Sequence, residues 1–202
     1  MNKLLLGLVA VFLLAASAPV NNGLEVGDKA PDFKLKNVDG KMVSMADYTS
    51  AKGFIVIFDC NTCPYSKAYN DRIKALHANY ASKGFPLILI QPNDPVKSPG
   101  DSYEEMQKYA KEKGYNFPYL IDETQETTRA YGATNTPHVF VLSKQGADLR
   151  VAYIGAIDNN TQSAERADKK YVDDALNALL GGKDVPVNKT KAIGCTIKWR
   201  SV

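Results

Sequence analysis

The feature that most constrains the fold is an apolar segment that runs directly into two cysteines. Residues 54–58 are continuously apolar and rich in β-branched side chains, the pattern of a strand covered on both faces. Cys60 and Cys63 follow, and Pro64 then stands where the first turn of a helix tolerates proline. This order predicts a strand, a cysteine-bearing turn and a helix.

The other segments alternate between strand and helix patterns. Period-two residues at 33–36, an Asp39-Gly40 turn and Met42-Val43 predict an N-terminal β-hairpin. An α/β fold follows, with a mixed central sheet covered by helices on both faces. Further strands are predicted at 86–90, 119–121, 137–142 and 149–154, and helices at 64–84, 101–113, 124–131 and 164–180.

The N-terminus has the pattern of a signal peptide. Lys3 supplies a short positive region, residues 4–15 are apolar, and residues 16–18 have the small-x-small form of a cleavage site. The apolar run is short for a bilayer span, although an uncleaved anchor is the alternative. We expect an exported protein, periplasmic or extracellular. The predicted parts are a signal peptide at 1–18, a tether at 19–30, one domain at 31–182 and a C-terminal tail at 183–202 packed on or near it.

Charge and cysteine count exclude several functions. The formal net charge of +3 is too small to argue for nucleic acid or an anionic membrane surface as a partner. No segment after the leader is long and apolar enough for stable membrane insertion. Disulfides persist after export, and the odd count of three cysteines argues against a purely structural disulfide framework.

Cys60 and Cys63 are placed for thiol chemistry. A helix N-terminus offers unpaired N–H groups and the positive end of the dipole, which lower the pKa of a thiol. The spacing allows the pair to form a disulfide and reopen it by exchange with a substrate thiol. We expect Cys60 to be the exposed attacking thiol, and Cys63 to be less accessible and to resolve the mixed disulfide.

Other uses of this cysteine spacing fit less well. A zinc site lacks a second CxxC, and only His77 and His138 remain as imidazole ligands. Covalent haem needs His where Pro64 stands, and so short a loop is a poor structural staple. We therefore predict no metal and no cofactor. Cys195 is a candidate third redox thiol, or else merely a packed one.

Thr136-Pro137 stands at the start of a segment whose pattern otherwise predicts a central strand. Proline is unusual there because it has no N–H to donate to a neighbouring strand. One reading is a cis peptide that faces the two cysteines and leaves backbone groups free to bind a substrate chain. The other is an ordinary trans entry, which the residues alone favour because few X–Pro bonds in folded proteins are cis.

Several short stretches together resemble one family. They are residues 27–33, 58–65, 92–94, 114–120, 122–123, 131–133, 136–137 and 194–199. They resemble the redoxin branch of the thioredoxin superfamily, of the alkyl hydroperoxide reductase/thiol-specific antioxidant type, and more closely its peroxiredoxin-like proteins with a CxxC motif. The resemblance implies a thioredoxin-like fold with the β-hairpin as an N-terminal extension, a cis Pro137 and a redox-active Cys60/Cys63 pair.

Motif and resemblance predict an exported thiol–disulfide oxidoreductase acting on protein thiols or disulfides. It would need a redox partner protein, either thioredoxin-type or a membrane electron donor. A thiol peroxidase that reduces hydroperoxides through Cys63 ranks second. In the family's true peroxidases a Thr precedes the peroxidatic cysteine by three positions and an Arg assists it. Here Cys60 replaces that Thr, and Thr136-Pro137 occupies the Arg region. A non-catalytic binding module on this fold is the third reading.

Overall fold

The computed structural model describes residues 23–201, so the predicted signal peptide lies outside the described residues. Residues 23–30, from the predicted tether, lie against the domain. The N–H of Leu24 donates to the carbonyl of Tyr131, and that of Ala30 to Leu149. No helix within residues 23–201 has both the length and the apolarity needed to cross a membrane.

The described chain alternates between strands and helices, as the sequence patterns predict. The strands are β1 (Lys34–Asn37), β2 (Met42–Ser44), β3 (Gly53–Phe58), β4 (Leu87–Gln91), β5 (Tyr119–Ile121), β6 (Asn135–Thr136), β7 (His138–Gln145), β8 (Asp148–Gly155) and β9 (Cys195–Thr196). The α-helices are α1 (Pro64–Tyr80), α2 (Tyr103–Lys113), α3 (Glu126–Tyr131) and α4 (Tyr171–Leu180).

Seven strands form one mixed sheet in the order β2-β1-β5-β4-β3-β7-β8. Strand β4 runs parallel to β3 and β5, whereas β7 is antiparallel to β3. Ile55 and Ile57 of β3 face a core shared with α1, α2 and α4, and Val56 and Phe58 face a second core shared with α3. Each such side chain contributes about 1.5–3 kcal/mol on burial. The predicted α/β class and mixed sheet are confirmed.

The prediction of a helix over 164–180 is wrong at its start, because α4 begins only at Tyr171. The preceding segment is held as a loop by asparagine side chains. Asn159 accepts the N–H of Lys169 at 3.1 Å, and Asn160 accepts that of Ser163 at 3.0 Å. Side chains of this type compete with the helix for backbone donors.

The C-terminal tail contains a strand that no sequence pattern indicated. Strand β9 pairs antiparallel with β6, apart from the main sheet. Ile197, just beyond it, is buried in the core that contains Phe58 and Tyr131. The tail therefore lies on the same end of the domain as the turn after β3.

Candidate active site

The CxxC turn joins β3 to α1. Cys63 is the N-cap of α1, and Pro64 is the first helical residue. The carbonyl of Cys63 accepts the N–H of Lys67 at 3.0 Å, which begins the helical ladder. The predicted strand, turn and helix are confirmed, and the Cys63 sulfur lies at the helix N-terminus, where the dipole favours an anion.

A buried carboxylate holds the turn between the two cysteines. Asp101 Oδ1 accepts the N–H groups of Asn61 at 2.9 Å and Thr62 at 3.1 Å. Its Oδ2 accepts the hydroxyls of Thr62 at 2.8 Å and Ser98 at 2.6 Å, and Asn93 Nδ2 at 2.8 Å. Asp101 is 0% exposed. The two turn residues whose N–H groups it accepts lie some 40 residues away in the chain, so no local sequence pattern indicates these contacts.

Asn61 ties the same turn to the core of the sheet. Its Oδ1 accepts the hydroxyl of Tyr119 at 2.8 Å, and its Nδ2 donates to the carbonyl of Gly100 at 3.0 Å. Both residues of the dipeptide between the cysteines are thus fixed by polar contacts. The position of Cys63 relative to the helix is therefore set from inside the protein.

The Thr136-Pro137 peptide is cis, as the resemblance implied, and Thr136 lies against both sulfurs. Its hydroxyl is 3.2 Å from Cys60 Sγ, and its carbonyl oxygen is 3.2 Å from Cys63 Sγ. The fold therefore brings together Cys60, Cys63 and Thr136-Pro137, four of the residues that the sequence singled out.

The backbone at Thr136 is not free, contrary to expectation. The C-terminal strand β9 covers it, with Thr136 paired to Cys195 and Asn135 to Thr196. This pairing brings Cys195 Sγ to 2.6 Å from Cys63 Sγ, compared with about 2.05 Å in a disulfide bond. All three cysteines are free thiols.

The three thiols differ in how their surroundings treat the charged form. The pKa of Cys63 is lowered, first because the Cys60 thiol donates to it, and also through Cys195 and the N–H of Ser66. Burial opposes this by penalising the charged form, but the hydrogen-bond donors outweigh it. The pKa of Cys60 is raised by that donation and by burial, and burial raises the pKa of Cys195.

The expectation that Cys60 is exposed is wrong. Cys60 and Cys63 are each 2% exposed, whereas Cys195 is half-buried. The C-terminal tail, predicted to pack on or near the domain, lies against Thr136 and Cys63 through β9. Of the two CxxC cysteines, Cys63 is the one that contacts the half-buried Cys195.

Asp59, next to Cys60, is buried and only 3% exposed. Burial raises its pKa to about 7, and the charges of Cys63 and Asp101 act in the same direction. Its Oδ1 has no hydrogen-bond partner among the described residues. Asp59 in turn raises the pKa of Cys60, which sharpens the difference between the two CxxC thiols.

Two other groups, Arg129 and His138, contact residues other than the cysteines. The guanidinium of Arg129 lies 4.5 Å from the ring centroid of Trp199 in the tail. His138 Nδ1 accepts the N–H of Thr134 at 3.3 Å, and burial lowers its pKa to about 4. Within residues 23–201, no cluster of three or more His, Cys, Asp or Glu side chains is arranged to hold a metal ion.

The part of the chain that carries this site is shared with known proteins. The AhpC/TSA family matches residues 26–154, which include the CxxC turn and the cis proline. The chain belongs to the AhpC/TSA family. It is 25% identical over 145 residues to thiol-disulfide oxidoreductase ResA of Geobacillus thermodenitrificans, a match that covers 71% of this chain and 78% of the relative.

Solved structures extend the similarity of this AhpC/TSA member over nearly the whole chain. An uncharacterized conserved protein from Geobacillus kaustophilus is 38% identical, with a TM-score of 0.82, covering 90% of this chain and 95% of that one. Peroxidoxin BcpB from Mycobacterium tuberculosis is 18% identical, with a TM-score of 0.58 and coverage of 79% and 97%. The thioredoxin-like fold is confirmed. Cys195 lies beyond the residues that the family matches.

Proposed function

We propose that this protein is an exported thiol–disulfide oxidoreductase in which Cys63 is the nucleophile and Cys60 the resolving thiol. One observation carries the proposal: Cys63 Sγ lies at the start of α1 and receives donors that lower its pKa. The thiolate is the reacting species in disulfide exchange. This assignment reverses the roles expected from the sequence.

The reaction runs in two exchanges. The Cys63 thiolate attacks one sulfur of a substrate disulfide, the substrate S–S bond breaks, and one substrate thiolate leaves. Cys60 then loses its proton and attacks Cys63 Sγ. The Cys60–Cys63 disulfide forms, and the second substrate thiol is released. Because each step is reversible, the reduction potential of the pair decides whether the protein reduces or oxidises its substrates.

The substrate class that fits is a protein disulfide or dithiol. Turnover requires a redox partner that resets the Cys60/Cys63 pair, either a thioredoxin-type protein or a membrane electron donor. Export through the predicted signal peptide places this chemistry where disulfides persist. The similarity to a protein named thiol-disulfide oxidoreductase supports this class of reaction.

A trapping experiment tests the roles of the two thiols. In a Cys195→Ser background, Cys60→Ser should accumulate a mixed disulfide between Cys63 and disulfide-bonded insulin. No second cysteine of the protein remains to resolve it. Cys63→Ser is the matched control and should trap nothing. Accumulation in the Cys63→Ser protein instead would restore Cys60 as the attacking thiol and overturn the proposal.

Peroxide reduction is the second candidate, because a thiol of lowered pKa is also what a peroxidatic cysteine needs. Peroxide cleavage further needs donors that stabilise the leaving oxygen. The groups against Cys63 Sγ are Cys60, Cys195, Thr136 and the N–H of Ser66, and Arg129 lies instead on Trp199. Fast, stoichiometric formation of sulfenic acid at Cys63 on peroxide titration would favour the peroxidase.

A further inference from the structure

The C-terminal segment, residues 194–200, lies where a substrate chain would pair with the cis-proline loop. Addition of a strand to an open backbone edge is a common way to bind an extended peptide. Here the protein's own β9 makes that pairing. The N–H of Ile197 donates to the carbonyl of Thr134 at 3.1 Å, and Asn135 Nδ2 donates to the carbonyl of Gly194 at 3.0 Å.

Gly194 allows this strand to lie close to the active site. A Cβ at this position would lie 2.0 Å from the carbonyl oxygen of Thr136 and 2.6 Å from its carbon. Both are backbone atoms and cannot move aside cheaply. Only glycine therefore permits the approach that brings the next residue, Cys195, against Cys63.

Buried polar side chains hold the segment in place. Gln125 Nε2 donates to the carbonyls of Pro92 at 2.7 Å and Lys198 at 2.9 Å, and its Oε1 accepts the N–H of Arg200 at 2.8 Å. Asn93 Oδ1 accepts the N–H of Lys198 at 2.9 Å. Gln125 has a φ of +60°, which is uncommon for a residue other than glycine.

The segment delivers a thiol in the position of a substrate sulfur. Cys195 Sγ lies 2.6 Å from Cys63 Sγ. Cys195 itself is half-buried. Cys63, the nucleophile of the proposed function, is thereby covered by a cysteine of its own chain. A tethered partner of this kind competes at a high effective concentration with any partner in solution.

We infer that residues 194–200 are a built-in substrate strand, and that Cys195 is a third redox thiol that exchanges with the Cys60/Cys63 pair. The inference rests on the proposed function. The Cys195 thiolate attacks Cys63 Sγ in the Cys60–Cys63 disulfide. The Cys63–Cys195 bond forms, the Cys60–Cys63 bond breaks, and Cys60 takes up the proton that Cys195 lost. No net oxidation occurs, so no external oxidant is needed.

The exchange gives the oxidised protein two forms. In one, the disulfide joins Cys60 to Cys63, and the strand is held only by its noncovalent contacts. In the other, the strand is locked to Cys63 and substrate is excluded. A protein substrate must therefore displace residues 194–200 to reach Cys63, and the segment acts as both competitor and resolving arm.

Disulfide mapping tests the covalent part of the inference. Full-length Cys60→Ser is oxidised mildly with oxidised glutathione, digested with trypsin without reduction and examined by mass spectrometry. The expected product links the peptides of residues 53–67 and 192–198 through Cys63 and Cys195. Cys63→Ser, treated identically, should give no such link from Cys60. Glutathione retained on Cys63 beside a free Cys195 would overturn the inference.

A second variant tests the strand without touching a thiol. Gly194→Ala should push the segment off Thr136 and raise the alkylation rate of Cys63 in the reduced protein by on the order of tenfold, which corresponds to about 1.4 kcal/mol of strand binding. Gly181→Ala is the matched control. Its Cβ would meet only ordinary contacts, the closest at 3.4 Å, and the rate should not change. An unchanged rate in folded Gly194→Ala would contradict the substrate-strand position.

The failures of the two proposals are distinguishable. If insulin is trapped on Cys63 but the Cys63–Cys195 disulfide never forms, the proposed function stands and the inference is wrong. If the Cys63–Cys195 disulfide forms but no protein disulfide is trapped or reduced, the internal exchange is real and the proposed function is wrong.

Discussion

The two segments that bring sulfur to the active site are held in opposite ways. The turn between Cys60 and Cys63 is fixed from inside by the buried carboxylate of Asp101. Residues 194–200 lie at the surface, held by a two-residue strand pairing, by side-chain amide contacts to Gln125 and Asn93, and by the buried side chain of Ile197. Under the proposed function, this difference gives a fixed nucleophile and an exchangeable cover, since segments with fewer buried contacts open at lower free energy than the core.

The largest effect on stability should come from removing the carboxylate that holds the turn between Cys60 and Cys63. Asp101→Ala leaves two buried donors, the N–H of Asn61 and Nδ2 of Asn93, without an acceptor, each costing on the order of 1–3 kcal/mol, and also removes the part-buried contacts to Thr62 and Ser98. We expect the free energy of unfolding to fall by about 3–5 kcal/mol, measured by urea denaturation. Asp71→Ala, on the exposed surface of α1 with a side chain that is 99% exposed, is the control and should change it by no more than about 0.5 kcal/mol. A small loss in Asp101→Ala would mean that the turn is not held by this carboxylate.

Asp59 tests the inward face of the same turn. Its folded pKa of about 7 lies above the unfolded value of about 3.9. Its contribution to stability is therefore fully present below pH ~4 and is lost as pH rises through ~7. Asp59→Asn should remove this loss and be more stable than wild type at alkaline pH by up to about 4 kcal/mol. Denaturation at acid and alkaline pH measures it, with Asp71→Asn as control. A difference from wild type that does not vary with pH would contradict the raised pKa.

Sequence patterns predicted the strand, turn and helix around Cys60 and Cys63 well, and the segment of residues 194–200 poorly. The strand over residues 54–58 and the helix start at Pro64 follow from local periodicity and proline chemistry. The Asp101 contacts join segments distant in sequence, which no local pattern reveals. Strand β9 has two residues and no alternation, so its pairing with β6 was invisible. The expectation that Cys60 is exposed was wrong, and the strand that packs against Thr136 and Cys63 was not predicted.

An intermediate effect should come from loosening the cover. Gln125→Ala removes hydrogen bonds to Lys198 and Arg200, which are each worth about 0.5–1.5 kcal/mol. We expect faster alkylation of Cys63 with a smaller change in global stability. If the free energy of unfolding fell by as much as the free energy that corresponds to the faster alkylation, the segment would open only when the whole domain unfolds. The contrast between a fixed turn and an exchangeable segment would then be wrong.

The smallest effect should come from Arg129. Its contact with the ring of Trp199 is a cation–π interaction worth about 0.5–1 kcal/mol at a partly exposed site. Arg129→Ala should raise the alkylation rate of Cys63 only a few-fold, whereas the exposed Arg166→Ala should not. Peroxide reactivity should be the same in Arg129→Ala as in wild type, and its loss would instead place Arg129 in a peroxidase site.

The central claim is that Cys63 is the thiolate of the reduced protein. The direct measurement is the pH dependence of alkylation by iodoacetamide, resolved cysteine by cysteine through mass spectrometry. Cys63 should be labelled first and at a rate that stays nearly constant from mildly acid to alkaline pH, because its pKa is lowered. Cys60 and Cys195 should react only as pH becomes alkaline. Labelling of Cys60 before Cys63 at neutral pH would contradict the account.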